Sequence, residues 1–196
     1  MKPVATTICR RFAASTRGIA AVEFALVMPV LLILFLSTFD AANAVAVYMK
    51  VRTASYVLAA VTNTYGTGAT NQISSTAMPG IAQAAGAVLA PYTGTPTVVL
   101  SQIKATSNTR AIVSWSYALN GTALTQGNTY SSLPTNFAKN TCGNIYPCYA
   151  IVASVSYTYT PTFGYFLTGP LTFSDSLLAT PRISTCIQYN SVPGSC

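Results

Sequence analysis

The apolar and polar positions divide the chain into three unlike parts. Residues 19–39 read IAAVEFALVMPVLLILFLSTF, an apolar run with a single charge at Glu23. At about 1.5 Å per residue a helix of this length spans about 31 Å, enough to cross a bilayer. Eleven of the sixteen residues 24–39 are Leu, Ile, Val or Phe. Together these favour insertion by about 3 to 7 kcal/mol, against at most about 3.5 kcal/mol for an acid at the helix centre. Glu23 lies near one end, where its cost is smaller, and a transmembrane helix tolerates Pro29 as a mild kink.

From residue 40 the chain is Ala-rich and free of Pro and Gly until Gly66, and Val47, Val51, Ala54, Leu58 and Val61 recur at steps of 4, 3, 4 and 3. That is one helical stripe. A single helix is therefore predicted over 19–63, its second half burying the stripe against its own domain; two heptads are too few to argue for a coiled coil. A Gly, Thr and Ser loop follows at 64–76, then a shorter helix over 78–90, with Pro79 in its first turn and Pro91 ending it.

The remainder alternates with period two. TVVLSQIK (97–104) and AIVSWSYA (111–118) flank a hairpin connection, and Asn120-Gly121 marks a turn. In 149–160, Ile151, Ala153, Val155, Tyr157 and Tyr159 share one parity and Ser154, Ser156, Thr158 and Thr160 the other, predicting one buried and one wet face. With a last strand near 182–189, the expectation is an α+β domain: about four antiparallel strands backed by the long helix.

Composition narrows the chemistry. Only 7% of the residues are charged, against about 25% in ordinary soluble domains. With no His there is no Ser-His-Asp or Cys-His catalysis and no His-ligated metal, and Glu23, Asp40 and Asp175 are too scattered for a two-carboxylate site. The expectation is no enzyme, no cofactor and no metal. The net charge of +7 is concentrated: Lys2, Arg10, Arg11 and Arg17 lie before the apolar run, while Lys50, Arg52, Lys104, Arg110, Lys139 and Arg182 are dispersed. No stripe tracks a phosphate backbone, so nucleic acid is not an expected partner. The basic cluster reads as the cytoplasmic flank of a membrane segment.

A secretory signal peptide is an alternative, with a small-residue site at Ala42-Asn43-Ala44. Against it, the apolar run exceeds the usual signal core and contains an acid with no purpose in a discarded leader. A plain signal anchor with Glu23 incidental is another alternative.

The block Arg17-Gly18-Ile19-Ala20-Ala21-Val22-Glu23-Phe24-Ala25-Leu26 resembles the cleavage site of type IV prepilin-like proteins. There a basic leader ends in Gly, cleavage follows it, and Glu stands fifth in the mature chain. RGIAAVEFALVMPVLLILF is closer still to the TadE, TadF and TadG minor pseudopilins of tight-adherence (Flp-type) pili. The stretch VSYTYTPTFGYFLTGPLTFSDSLLATPR (155–182) is similar to the C-terminal half of TadE-type proteins, where a Tyr-x-Tyr-x-Pro strand end precedes an aromatic loop and a Leu-Thr-x-Ser strand, whereas 120–148 resembles nothing identifiable.

The resemblance implies cleavage between Gly18 and Ile19, with Glu23 and Phe24 in the recognition and assembly element. It divides the chain into a leader (1–18), a transmembrane segment (19–39), a periplasmic helical continuation (40–63) and a periplasmic α+β domain (64–196). It implies insertion in the inner membrane with the N-terminus cytoplasmic, and as partners a prepilin peptidase and other pilins or minor pseudopilins. Glycine lets a protease approach the backbone closely. A carboxylate at the membrane edge can pair with the new N-terminal ammonium of a neighbouring subunit, while Ala20, Ala21 and Ala25 allow close helix approach. For Glu23 the alternative is snorkelling to the headgroups. The alternative function is an uncleaved, signal-anchored envelope-binding or adhesion domain.

Two further features stay open. The loop PTFGYFLTGP (161–170) carries Phe163, Tyr165 and Phe166, which serve either as a membrane or subunit contact or as a cap on the core. Of five cysteines, Cys9 lies in the leader; Cys142, Cys148, Cys186 and Cys196 form an even set suited to disulfides in an oxidising compartment. Proximity favours Cys142 with Cys148 and Cys186 with Cys196. A zinc site is the alternative, though the spacing matches no zinc knuckle.

Overall fold

The computed structural model describes residues 18–65, 72–134, 137, 143, 145–164, 168–182, 185–190 and 196. Helix α1 (Ile19–Thr64) is one unbroken element of 46 residues. Its apolar first half is unburied, and burial begins at Asp40. From there Ala44, Val47, Val51, Ala54, Leu58 and Ala59 turn inward, the predicted stripe with one change. Val61 is 37% exposed and Thr62 is buried in its place, because the Thr62 hydroxyl bonds back to the Leu58 carbonyl (2.7 Å) and enters the core satisfied.

The chain continues through β1 (Gln72–Ile73), α2 (Ala77–Leu89), β2 (Thr97–Ala105), β3 (Ala111–Leu119), β4 (Thr129–Tyr130), β5 (Cys148–Tyr159), β6 (Leu171–Ala179) and β7 (Gln188–Tyr189). The main sheet is antiparallel and has five strands in the order β4-β3-β2-β5-β6. β1 and β7 form a separate two-residue parallel pair. The fold is α+β, with α1 and α2 packed on one sheet face.

The expected last strand near 182–189 is corrected. The final strand of the sheet is β6, where Leu171, Phe173 and Leu177 face the core, and the described residues of 182–189 contribute β7 alone. Instead of joining the ladder, this segment is clamped across it. Trp115 Nε1 donates to the Ile187 carbonyl (2.7 Å), and Gln102 Oε1 accepts from the Ile187 N–H (2.8 Å). With both backbone groups of Ile187 satisfied by side chains, its burial carries no orphan.

The two sheet faces differ as the parity of β5 predicts. Val155, Tyr157 and Tyr159 meet the helices, while Ser154, Ser156 and Thr158 stand opposite Ser176, Ser174 and Thr172 of β6. At its other end the polar face is covered. Ile103, Ala105, Ala111, Ala150 and Val152 gather under Phe137, with Tyr130 and Leu133 beside them. Tyr130, Leu133 and Phe137 of the stretch 120–148, which had no assignment, thus cover a second small core.

Candidate functional site

Helix α1 starts from Gly18, whose φ of −93° and ψ of −11° are ordinary right-handed values, and a Cβ there would meet nothing within 4 Å. Nothing in the described fold requires glycine at this position. Glu23 follows about one and a half turns later on an exposed surface. Phe24 and Leu26 beside it are 64% and 76% exposed. Helical geometry separates the small residues: Ala20 lies within about 60° of Glu23, whereas Ala21 and Ala25 face away by about 160°. They do not form one surface with the carboxylate.

The segment 19–39 is apolar and long enough to cross a membrane. Inside it Pro29 has no N–H to donate to the Ala25 carbonyl. Near its end Ser37 and Thr38 return their hydroxyls to the carbonyls of Ile33 (2.7 Å) and Leu34 (2.8 Å), so no hydroxyl is left bare in an apolar setting.

The end of the span is marked by a buried acid. Asp40 is fully buried, and its carboxylate accepts three consecutive backbone N–H groups: Thr162 (3.1 Å), Phe163 (3.2 Å) and Gly164 (2.9 Å). Gly164 has φ +68°, the left-handed conformation that lets successive amides converge on one anion. Phe39 and Phe163 meet edge to face at 5.7 Å. The aromatic loop is thereby fastened to α1 where the apolar run stops. Phe163 itself is 44% exposed there.

An open cleft of about 600 Å³ lies at this junction, lined among others by Phe39, Asn43, Tyr92, Tyr159 and Phe163. Tyr92 and Tyr159 meet edge to face at 6.3 Å. Burial, with the nearby Asp40 carboxylate adding to it, raises the Tyr159 phenol above its ordinary pKa. Gly94 is needed here because a Cβ would lie 2.5 Å from the Tyr157 ring. Outside the cleft, the Lys50 ammonium caps the C-terminal end of α2 at the Val88 and Ala90 carbonyls and lies 5.9 Å from the centroid of the Tyr92 ring. Sequence reading passed over Asp40 and Lys50; the position of Asp40 at the end of the apolar run was the one available signal.

Lys2, Arg10, Arg11, Arg17, Cys142, Tyr165 and Phe166 lie outside the described residues. Cys186 and Cys196 form a disulfide. Cys148 is disulfide-bonded as well, to a partner outside the described residues. Among the described residues no three His, Cys, Asp or Glu side chains gather where they could hold one metal ion. A second groove of about 240 Å³ is lined by Thr97, Ser154, Ser156, Ser174, Asp175 and Ser176, with no Lys or Arg among the described residues that line it.

A family model described as TadE-like protein matches residues 18–59. The match covers the helix from Gly18 through Ala59 and leaves the second resembling stretch, 155–182, outside it. No curated protein and no solved structure matches the chain.

Proposed function

We propose that this chain is a minor pseudopilin of a tight-adherence pilus, cleaved after Gly18 by a prepilin peptidase and working in pilus assembly or initiation. The observation that carries the reading is the pairing of an unburied apolar helix with a TadE-like match over that same helix. A free-standing apolar helix needs lipid or other helices around it. Two details support it. Nothing within 4 Å in the described fold calls for glycine at 18, which is compatible with its serving recognition by a protease. Glu23 is an exposed acid within an apolar surface, expensive in lipid unless a partner supplies a cation.

In this reading the basic leader stays cytoplasmic and the α+β domain is periplasmic, where the disulfide of Cys186 with Cys196 and a proposed one of Cys142 with Cys148 form. Cleavage frees the Ile19 ammonium, and Glu23 of one subunit pairs with that ammonium on its neighbour. The role is structural, in lateral helix packing, and not catalytic. The test is the intact mass and N-terminal sequence of the membrane-extracted protein. A chain beginning at Ile19 is expected. A start at Val45 means ordinary secretion, and an uncut chain means a signal-anchored domain; either result overturns the proposal.

A further inference from the structure

The two edges of the main sheet are finished differently. On one side β3 is covered: β4 pairs with Ala111 and Ile112, Val113 exchanges backbone bonds with Gly127 and Asn128, and the Leu124 N–H reaches the Ser116 hydroxyl. A register shift between Gln102 and Ile103 also interrupts the ladder of β2 with β3. Coverings and irregularities of this kind stop a sheet edge from recruiting further strands. On the other side β6 pairs with β5 residue for residue from Leu171 to Ala179, and no described strand lies beyond it. Its nine residues, LTFSDSLLA, include no Pro and no Lys to blunt the edge.

The layer over this edge is unfinished as well. Leu171, Phe173, Asp175 and Leu177 are half-buried, although Tyr159, Tyr157, Val155 and Ala153 opposite them on β5 are buried. Helix α1 lies over both strands: Tyr48 meets Phe173 edge to face at 6.1 Å, and the Ser55 hydroxyl donates to the Asp175 carboxylate. A helix about 10 Å wide is broader than the spacing of about 4.8 Å between strands, so α1 overhangs the edge. The overhanging side, about 50° to 110° further round the helix than Tyr48 and Ser55, carries Val45, Arg52, Tyr56 and Met49. Val45, Met49 and Tyr56 are 54%, 62% and 58% exposed, with Arg52 exposed among them. The outward side of a helix is ordinarily polar. Here it is apolar around one cation.

We propose that β6 accepts one more strand, an extended segment of a different chain that continues the antiparallel sheet beneath the overhang of α1. Side chains on the inner face of that segment pack against Val45 and Tyr56, and one of them is a carboxylate set against Arg52. Its outer face is polar, in line with Thr172, Ser174 and Ser176. The main-chain bonds of the new ladder supply affinity, and alternate side chains supply specificity. Charge selects against a second copy as the donor. The chain has three acids: Glu23 inside the apolar helix, Asp40 held by the 162–164 amides, and Asp175 taking the Ser55 hydroxyl. None is placed to face Arg52 from an added strand, so the opposed carboxylate belongs to another sequence. The inference uses neither the cut at Gly18 nor the pairing of Glu23, and stands apart from the pseudopilin reading.

The test uses the full chain in its own membranes, with the photocrosslinker benzoylphenylalanine placed singly at Thr172, at Ser176 or, beside the covered edge, at Leu124. Adducts are expected at Thr172 and Ser176 and not at Leu124. Their peptides should identify one other chain, through a segment of alternating apolar and polar residues that carries an acid. Arg52→Glu should lower adduct yield about tenfold, and an acid-to-arginine change in that segment should restore it. Strand addition also has a signature that side-chain contact lacks. In the detergent-solubilised full chain alternate amides of 171–179 face no partner strand and exchange quickly, and a synthetic peptide of the crosslinked segment should slow them by about tenfold or more. Yields at Thr172 and Ser176 no higher than at Leu124, adducts of the chain with itself, alternate amides that the peptide leaves unprotected, or an Arg52→Glu chain crosslinked as well as the parent each overturn the proposal. The N-terminal mass is read on the same samples. A chain cut at Ile19 without edge adducts refutes the strand addition alone, and an uncut chain with them refutes the pseudopilin reading alone.

Discussion

Gly164 donates its backbone N–H to the Asp40 carboxylate at 2.9 Å, across 124 positions of sequence. This bond joins the end of the apolar run to the aromatic loop and makes Asp40 the fastening point of the site. Hydrogen bonds to a buried charge contribute about 1.5 to 3 kcal/mol. Asp40→Ala is therefore expected to lower stability by about 2 to 3 kcal/mol and to free the loop, since three amides lose their acceptor together. Protease nicking within 161–170 should rise sharply in the variant; an unchanged nicking pattern would show that the loop is held by other means.

Gly18→Asp should abolish cleavage. Gly18→Ala should leave the domain's melting temperature unchanged, because its Cβ meets open space, while slowing processing. Intact mass and a thermal melt separate the two effects.

Glu23→Ala should be processed more nearly normally than it assembles, because the carboxylate is assigned to pairing between subunits. Piliation counts set beside the mature-chain fraction decide the matter. Normal piliation would remove the pairing role.

Lys50→Met keeps most of the stem's volume and deletes the ammonium at the end of α2. The loss of the charge–dipole and cation–π terms should cost about 1 kcal/mol, at most about 2. Chemical denaturation of the detergent-solubilised chain measures it, and a neutral result would mean that the carbonyls of Val88 and Ala90 are equally well served by water.

Burial raises the phenols of Tyr130, Tyr159 and Tyr189, with Asp40 adding to the effect at Tyr159 and Tyr117 at Tyr189. A raised folded-state pKa means that the fold favours the protonated phenol. Its contribution is complete below the unfolded value of about 10 and is lost as pH climbs through the raised values. Stability should accordingly fall only above about pH 10, and Tyr159→Phe should make that fall shallower. Absorbance at the phenolate band, followed with circular dichroism, tests both; phenols that all titrate as in free tyrosine would contradict the assignment.

The helices and the central strands were legible because each depends on a local repeat. Val47, Val51, Ala54 and Leu58 announce their face by spacing alone, and the alternation from Ile151 to Tyr159 does the same for β5. The turn at Asn120 was equally plain, and its φ of +55° is one that Asn tolerates. β6 was marked only by the resemblance, through its Leu-Thr-x-Ser start, because Asp175 stands in the middle of its inward row and its hydroxyl partner Ser55 is 120 positions away. The clamp on Ile187 could not be read either: Trp115 and Gln102 look like ordinary strand residues until the chain returns to them from 72 and 85 positions on. For the site, the span and the Gly18 to Glu23 spacing were visible, while the Asp40 lock depends wholly on tertiary structure.

Mechanically, α1 is a shaft without a joint between the apolar span and the domain. No loop or glycine hinge interrupts its 46 residues, and Asp40 bolts the domain to it just above the span. Between Pro29 and the domain a push along the helix, or a turn about its axis, has no loop or glycine in which to dissipate before it reaches the sheet. A force applied at the apolar end of the helix would thus bear on the orientation of the α+β domain without touching it.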